Sequence, residues 1–235
     1  ALMAEAGASM VWSPLSNLLL YGQTARVADA AAHGMKIALG SDWSPSGSRN
    51  LLAELKVARL ASNFAAAELV AMVTRNPAAI LGWDKLLGSL EAGKYADLLV
   101  VRGKAGKAHD RLIAANEDDI ACVMIGGRVR LADPGLDLIP ASNAETVAVG
   151  TEARELDLAD DNADPLVQGL TLAGARARLA DGLARLPALA ADFEKPKPHS
   201  TFAAKAGPRT WFLVLDHEEP VGHNIRPRIA KRRSA

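Results

Sequence analysis

Residues 35–47 read MKIALGSDWSPSG. The run Met35–Gly40 is apolar, too short for an amphipathic helix and bounded by Gly34 and Gly40. It reads as a strand buried on both faces, the kind found in parallel sheets. The strand ends on Ser41-Asp42, and a Ser/Pro/Gly loop leads into an apolar-periodic helix over Ser48–Ala61. Working outward toward the amino terminus, Thr24–His33 is a helix with a Thr cap and Gly34 just past its end. Ahead of it, Ser9–Trp12 (SMVW) is a second short apolar strand followed by the loop SPLSN. Toward the carboxyl terminus, Ala65–Arg75 is helical and continues through Asn76-Pro77 to Leu81. Strand, loop and helix thus alternate over residues 1–83, which is the signature of parallel α/β architecture.

The texture changes after Trp83. Gly88–Gly93 is turn-like and Ala96–Arg102 (ADLLVVR) is a strand. IACVMI and RVRLAD flank Gly126-Gly127, and a two-residue Gly-Gly connection suits the primed turns of a β-hairpin. Beyond Asp133, residues 152–164 hold six acids against one arginine and read as a solvated connector. Leu170–Leu186 spaces apolar positions on one helical face, Thr210–Asp216 reads as a late strand, and Arg226–Arg233 is a basic tail read as a solvated end. Three regions result: 1–83, 84–132 and 133–235. No internal repeat is visible, and the opening run ALMAEAGA lacks a cap or start methionine, as expected of a piece of a longer protein.

Composition narrows the function classes. Lys+Arg and Asp+Glu are equal at 27 each, so no chain-wide field steers the protein to nucleic acid or an anionic membrane. The expected partner is a small molecule. No apolar run approaches the roughly 18 residues of a membrane span, so the expectation is a cytoplasmic protein without nucleic-acid or membrane partners. The single cysteine, Cys122, lies in an apolar run, which leaves no disulfide framework. Asp42 stands where α/β proteins place ligands and catalytic groups, at the carboxyl end of a parallel strand. A carboxylate there can ligate a metal or accept a proton; it can also cap the next helix or pin the loop through Ser44 and Ser46.

Four words in one order carry a resemblance: WSPLSNLLLYG, IALGSDWSPSGSRNLLAELK, TRNPAAILG and LGSLEAGKYADLLVV. Over residues 1–132 the chain resembles the carboxyl-terminal half of the amidohydrolase superfamily, in its chlorohydrolase, cytosine-deaminase and guanine-deaminase-like branch. The resemblance implies an α/β fold: the last two βα units of a (β/α)8 barrel, part of a composite β-sandwich, and an α+β extension. It implies that Asp42 ligates a catalytic divalent metal, zinc or else iron, and is the general base that deprotonates the attacking water. It places Ser13, Ser16 and Asn17 on the loop after the seventh strand and Trp43 after the eighth, with Asn17, Trp43 and Ser16 as substrate contacts. The implied reaction is metal-dependent hydrolysis of a C–N bond, a deamination or amide-type hydrolysis of a small nitrogen-containing molecule.

One departure is large. Family members hold the metal with a His-x-His pair and two further histidines, and this chain has no His-x-His. His33 ends a helix, His109 and His199 lie in polar loops, and Pro220 breaks the helical spacing between His217 and His223. A (β/α)8 barrel takes about 250 residues, so residues 1–83 should leave strand edges and apolar faces uncovered. Homo-oligomerisation, or a complementing amino-terminal half, would cover them. Two other readings stay open: a non-catalytic interaction module, and one half of a split barrel completed by another chain.

Overall fold

The computed structural model describes residues 2–43, 45–103, 106–159 and 168–193. The expected strands over Thr210–Asp216 and the basic tail, with His199, His217 and His223, lie outside the described residues. The chain divides at Leu179 into two compact units, residues 1–178 and 179–235.

In the first unit a short helix α1 (Leu2–Glu5) precedes β1 (Met10–Trp12), α2 (Pro14–Tyr21), α3 (Val27–Ala32), β2 (Ile37–Leu39) and α4 (Leu51–Ala61). β1 and β2 pair in parallel with Met10 opposite Ile37 and Trp12 opposite Leu39. Asn50 caps α4, its Oδ1 accepting the Ala53 N–H at 2.9 Å. The helix therefore starts two to three residues later than the serine at 48 suggests. The stretch expected as one interrupted helix is α5 (Ala66–Ala71) and α6 (Arg75–Ile80), separated at Met72–Thr74.

The main apolar core is built around β2. Ile37 and Leu39 pack with Trp12, Val27, Leu55, Ala58, Leu69, Met72 and Ile113, all buried. Trp12 is 1% exposed, its indole N–H donating to Thr24 at 2.7 Å and its ring meeting Phe64 edge-on. The expectation of two uncovered strands is thus corrected for β2, which α3, α4 and α6 enclose, and in part for β1, where Trp12 is buried in the core and only Val11, 66% exposed, is open.

Next come β3 (Leu98–Val101), α7 (Ala108–Ala114), β4 (Ile120–Ile125), β5 (Arg128–Ala132), β6 (Glu145–Val149) and β7 (Glu152–Leu156). The strands form one antiparallel sheet in the order β3-β4-β5-β7-β6. Gly126 and Gly127 both have positive φ, +57° and +82°, so the β4–β5 hairpin turn uses the conformation that glycine adopts without cost. α7 corrects the placing of His109 in a loop; Ile113 draws the helix into the core.

The acidic stretch is not a connector at its start. Residues 152–156 are β7, and Arg154 is 1% exposed at its centre. Arg154 donates to the carbonyls of Ile120, Asp118 and Ala153 at 2.7–2.9 Å and lies 3.0 Å from Asp133 Oδ1, so its charge is buried with its donors used. Asp157, 2% exposed, accepts two bonds from Arg128 and one from the Ala159 N–H. The last helix, α8 (Leu172–Phe193), begins in the first unit, where the Leu172 N–H donates to Glu145 at 2.9 Å, and runs into the second with Pro187 inside it. Among the described residues no helix is long and apolar enough to cross a membrane.

Candidate active site

The loops after β1 and β2 meet at the same end of the parallel pair. β1 runs straight into α2, with Pro14 at its first position, where a missing N–H costs nothing. After β2 the chain turns sharply: Asp42 has φ +57°, a left-handed conformation uncommon outside glycine, asparagine and aspartate. Gly47 lets the loop fold back on itself, since a Cβ there would lie 1.7 Å from the Ser41 carbonyl oxygen.

The Asp42 carboxylate is held at both oxygens. The Ser16 hydroxyl donates to Oδ2 at 2.6 Å, and the Trp43 N–H donates to Oδ1 at 2.9 Å. Ser16 is buried, 3% exposed, so the hydroxyl has its direction fixed by packing, while Asp42 itself is exposed. A carboxylate has about four acceptor positions, and each Asp42 oxygen keeps one. Asp42 lines a cavity of about 480 Å³ together with Trp12, Ser13, Ser16, Asn17 and Tyr21.

Of the residues singled out in the sequence, Asp42, Ser13, Ser16 and Asn17 come together here. Asn17 is partly committed, its Oδ1 accepting the Ala25 N–H at 3.2 Å. Trp43 is 67% exposed and does not line the cavity. His33 closes α3 with its ring 2.7 Å from the Asp29 carbonyl, where the helix dipole favours a cation, and His109 is exposed on α7. A larger cavity, about 710 Å³, lies between α4, α6 and β3; Leu52, Leu55, Ala78, Trp83 and Leu98 give it an apolar wall and Asp42 is not part of it. Chemistry rather than size picks out the smaller one.

The free acceptor positions of Asp42 fit one oxygen ligand of a divalent cation. Among the described residues no three His, Cys, Asp or Glu gather into a metal-binding group. The described residues therefore offer one ligand, and not a complete site.

Sequence reasoning missed Glu54. It is fully buried on α4, with Oε1 accepting the Leu15 N–H at 2.9 Å at the start of α2. The one signal is its position between Leu52 and Leu55, both on the buried face. The same amino-terminal end of α4 also carries ordinary surface pairing: Asn50 and Arg49 reach Glu117, whose carboxyl is held low by a backbone hydrogen bond, the Asn50 side chain and the Arg49 charge.

A 5-methylthioadenosine/S-adenosylhomocysteine deaminase from Teredinibacter turnerae is 36% identical over 110 residues, 43% of this chain and 25% of that enzyme. An S-triazine hydrolase from Gordonia rubripertincta is 29% identical over 148 residues, 56% of this chain and 31% of that protein. The chain thus spans about a quarter to a third of the length of these curated relatives. The crystal structure of an adenosine deaminase from Xanthomonas campestris with bound zinc superposes with a TM-score of 0.53 at 27% identity, covering 59% of this chain and 35% of that one. Residues 2–130 match the model of the amidohydrolase family, and with more than half of its length inside that match, the chain belongs to the amidohydrolase family.

Proposed function

We propose that this chain supplies the last two βα units of a (β/α)8 barrel, β1–α2 and β2–α4, and part of a composite β-sandwich through the β3–β7 sheet. On this reading the complete enzyme hydrolyses a C–N bond of a small nitrogen-containing molecule, by deamination or amide-type hydrolysis. The names of the relatives, deaminases and a triazine hydrolase, support that reaction class. The observation that carries the reading is Asp42: a carboxylate at the carboxyl end of a parallel strand, braced at both oxygens, with an acceptor position left on each.

Asp42 has two tasks in this scheme. One oxygen would be a ligand to a divalent cation, zinc in the favoured case, with the histidine ligands supplied from outside this chain. The cation, when bound, lowers the pKa of water to about 7. Asp42 receives the proton of the attacking water at its carboxylate and returns it to the leaving nitrogen. The Ser16 and Trp43 donors keep the carboxylate plane fixed while it does so. Asn17, which lines the cavity, and the exposed indole of Trp43, on the loop after β2, are the substrate contacts. We further propose a cytoplasmic enzyme that assembles as a homo-oligomer or with an amino-terminal half that completes the barrel.

The test is Asp42→Asn in an active preparation that combines this chain with the histidine-bearing strands. The amide keeps both hydrogen-bonded positions occupied and loses the base, so kcat falls about a hundredfold or more with the fold intact. An unchanged kcat reduces Asp42 to a residue that pins the loop.

A further inference from the structure

Glu54 carries a carboxylate into the interior, where an unpaired charge is costly. No cation among the described residues pairs with it, and its Oε2 has no hydrogen-bond partner there. What Oε1 does is specific. It accepts the N–H of Leu15, the second residue of α2 and one of the four amides that a helix leaves without an internal acceptor. Ser13, the residue placed to cap α2, makes no side-chain cap. Glu54 therefore caps α2 from 39 residues away, and it lies in the first turn of its own helix.

The next residue after Leu15 is Ser16, whose hydroxyl holds Asp42 Oδ2. Asp42 is exposed and leaves β2 in a left-handed conformation, so neither packing nor its backbone fixes the carboxylate. We propose that Glu54 is a positioning residue for Asp42, acting through the first turn of α2: Glu54 fixes Leu15, the turn carries Ser16, and Ser16 orients the carboxylate. The brace also links the loop after β1 to the helix after β2, so the two loops that bound the cavity move as one piece. That the oriented carboxylate performs chemistry rests on the function proposed above; that Glu54 orients it does not.

The experiment is amide hydrogen exchange by NMR on the 235-residue chain, read at Trp43, whose N–H donates to Asp42 Oδ1. Trp43 does not hydrogen-bond Glu54, so a change there reports transmission through Ser16. Ser16→Ala and Glu54→Met each speed Trp43 exchange about tenfold, the size expected from one lost hydrogen bond. Glu54→Gln keeps the acceptor and restores slow exchange. In the Ser16→Ala background Glu54→Met adds nothing further, because both act on one chain of contacts. The proposal is overturned if Leu15 exchange rises in Glu54→Met while Trp43 exchange does not, or if the double variant shows the product of the single effects. Should Glu54→Met not fold, Glu54→Asp keeps the charge but shortens the reach, and the same tenfold change at Trp43 is expected; wild-type exchange there overturns the proposal. Failure of coupling alongside an inactive Asp42→Asn enzyme removes Glu54 and leaves the catalytic assignment. Intact coupling alongside a fully active Asp42→Asn enzyme overturns the catalytic assignment, and with it any part for Glu54 in catalysis.

Discussion

Asn76 donates through Nδ2 to the Ile37 carbonyl, 2.9 Å away, on the edge of β2 that faces away from β1. Beside it the Leu39 N–H donates to the Met72 carbonyl at 2.8 Å. A strand edge that reads in the sequence as bare is met by Asn76 of α6 and Met72 of the α5–α6 connection, which supply one donor and one acceptor where a neighbouring strand would supply a ladder. Asn76→Ala leaves a buried carbonyl unpaired and is expected to destabilise the chain by about 1–3 kcal/mol. Urea unfolding followed by tryptophan fluorescence checks this, since Trp12 sits in the same core; a midpoint equal to the wild type refutes it.

Arg154 has its donors spread over three carbonyls and Asp133. Replacing it by Met keeps the volume and strands those acceptors, so the β3–β7 sheet loses about 3–5 kcal/mol, the usual cost of breaking a buried pair from one side. Circular dichroism during denaturant unfolding measures the loss. An effect below about 1 kcal/mol, the worth of an exposed pair, would count against a buried network.

Acid acts on the same sheet. The Arg102 hydrogen bonds hold the Asp133 carboxyl below the ordinary aspartate value, with the Arg154 charge adding to them. Burial pushes Asp157 up, but the Arg128 hydrogen bonds, the Ala159 N–H and the Arg128 charge outweigh it and leave the carboxyl low as well. The unfolded chain therefore takes up these protons first, near the free aspartate value of about 3.9. The stability that the two carboxylates contribute is complete well above that pH and is lost as pH falls through it toward the lower folded values. Urea midpoints should fall steeply below about pH 4 in the wild type and more gently in Asp133→Asn/Asp157→Asn, which starts from a lower midpoint near neutrality. Parallel curves would remove these residues as the cause.

With one ligand among the described residues, the chain alone is expected to lack hydrolase activity and to hold no stoichiometric metal after dialysis. Elemental analysis decides it. About one zinc or iron per chain would mean that histidines of this chain complete a site with Asp42.

Much of the fold is legible in the sequence because local chemistry and final structure agree there. Gly126-Gly127 can form a primed turn without strain, and the two flanking strands have a partner in each other, so the hairpin needs nothing distant. The position of Asp42 is legible, just past a short apolar strand, but that position also suits a helix cap or a loop pin, and its bonds to Ser16 and Trp43 come only from the folded loops. Glu54 and Arg154 are not legible, because a charged side chain in a helix or an acidic stretch reads as solvent-facing until its partners, 39 and 34 residues away, are brought to it. α7 is hidden for the same reason in apolar form: Lys107 gives it no side-chain cap, and it is held by burial of Ile113 against α4 and α5.

The left-handed backbone at Asp42 has a consequence for how this position can drift over time. Most side chains are excluded there by sterics before chemistry is considered, and the sterically admissible neighbours are Asn and Gly. A lineage that gave up hydrolysis would be expected to arrive at one of those two, keeping the loop and discarding the acid. Saturation variants should divide accordingly: Asn and Gly retain the native fold, and β-branched residues lose loop and fold stability together.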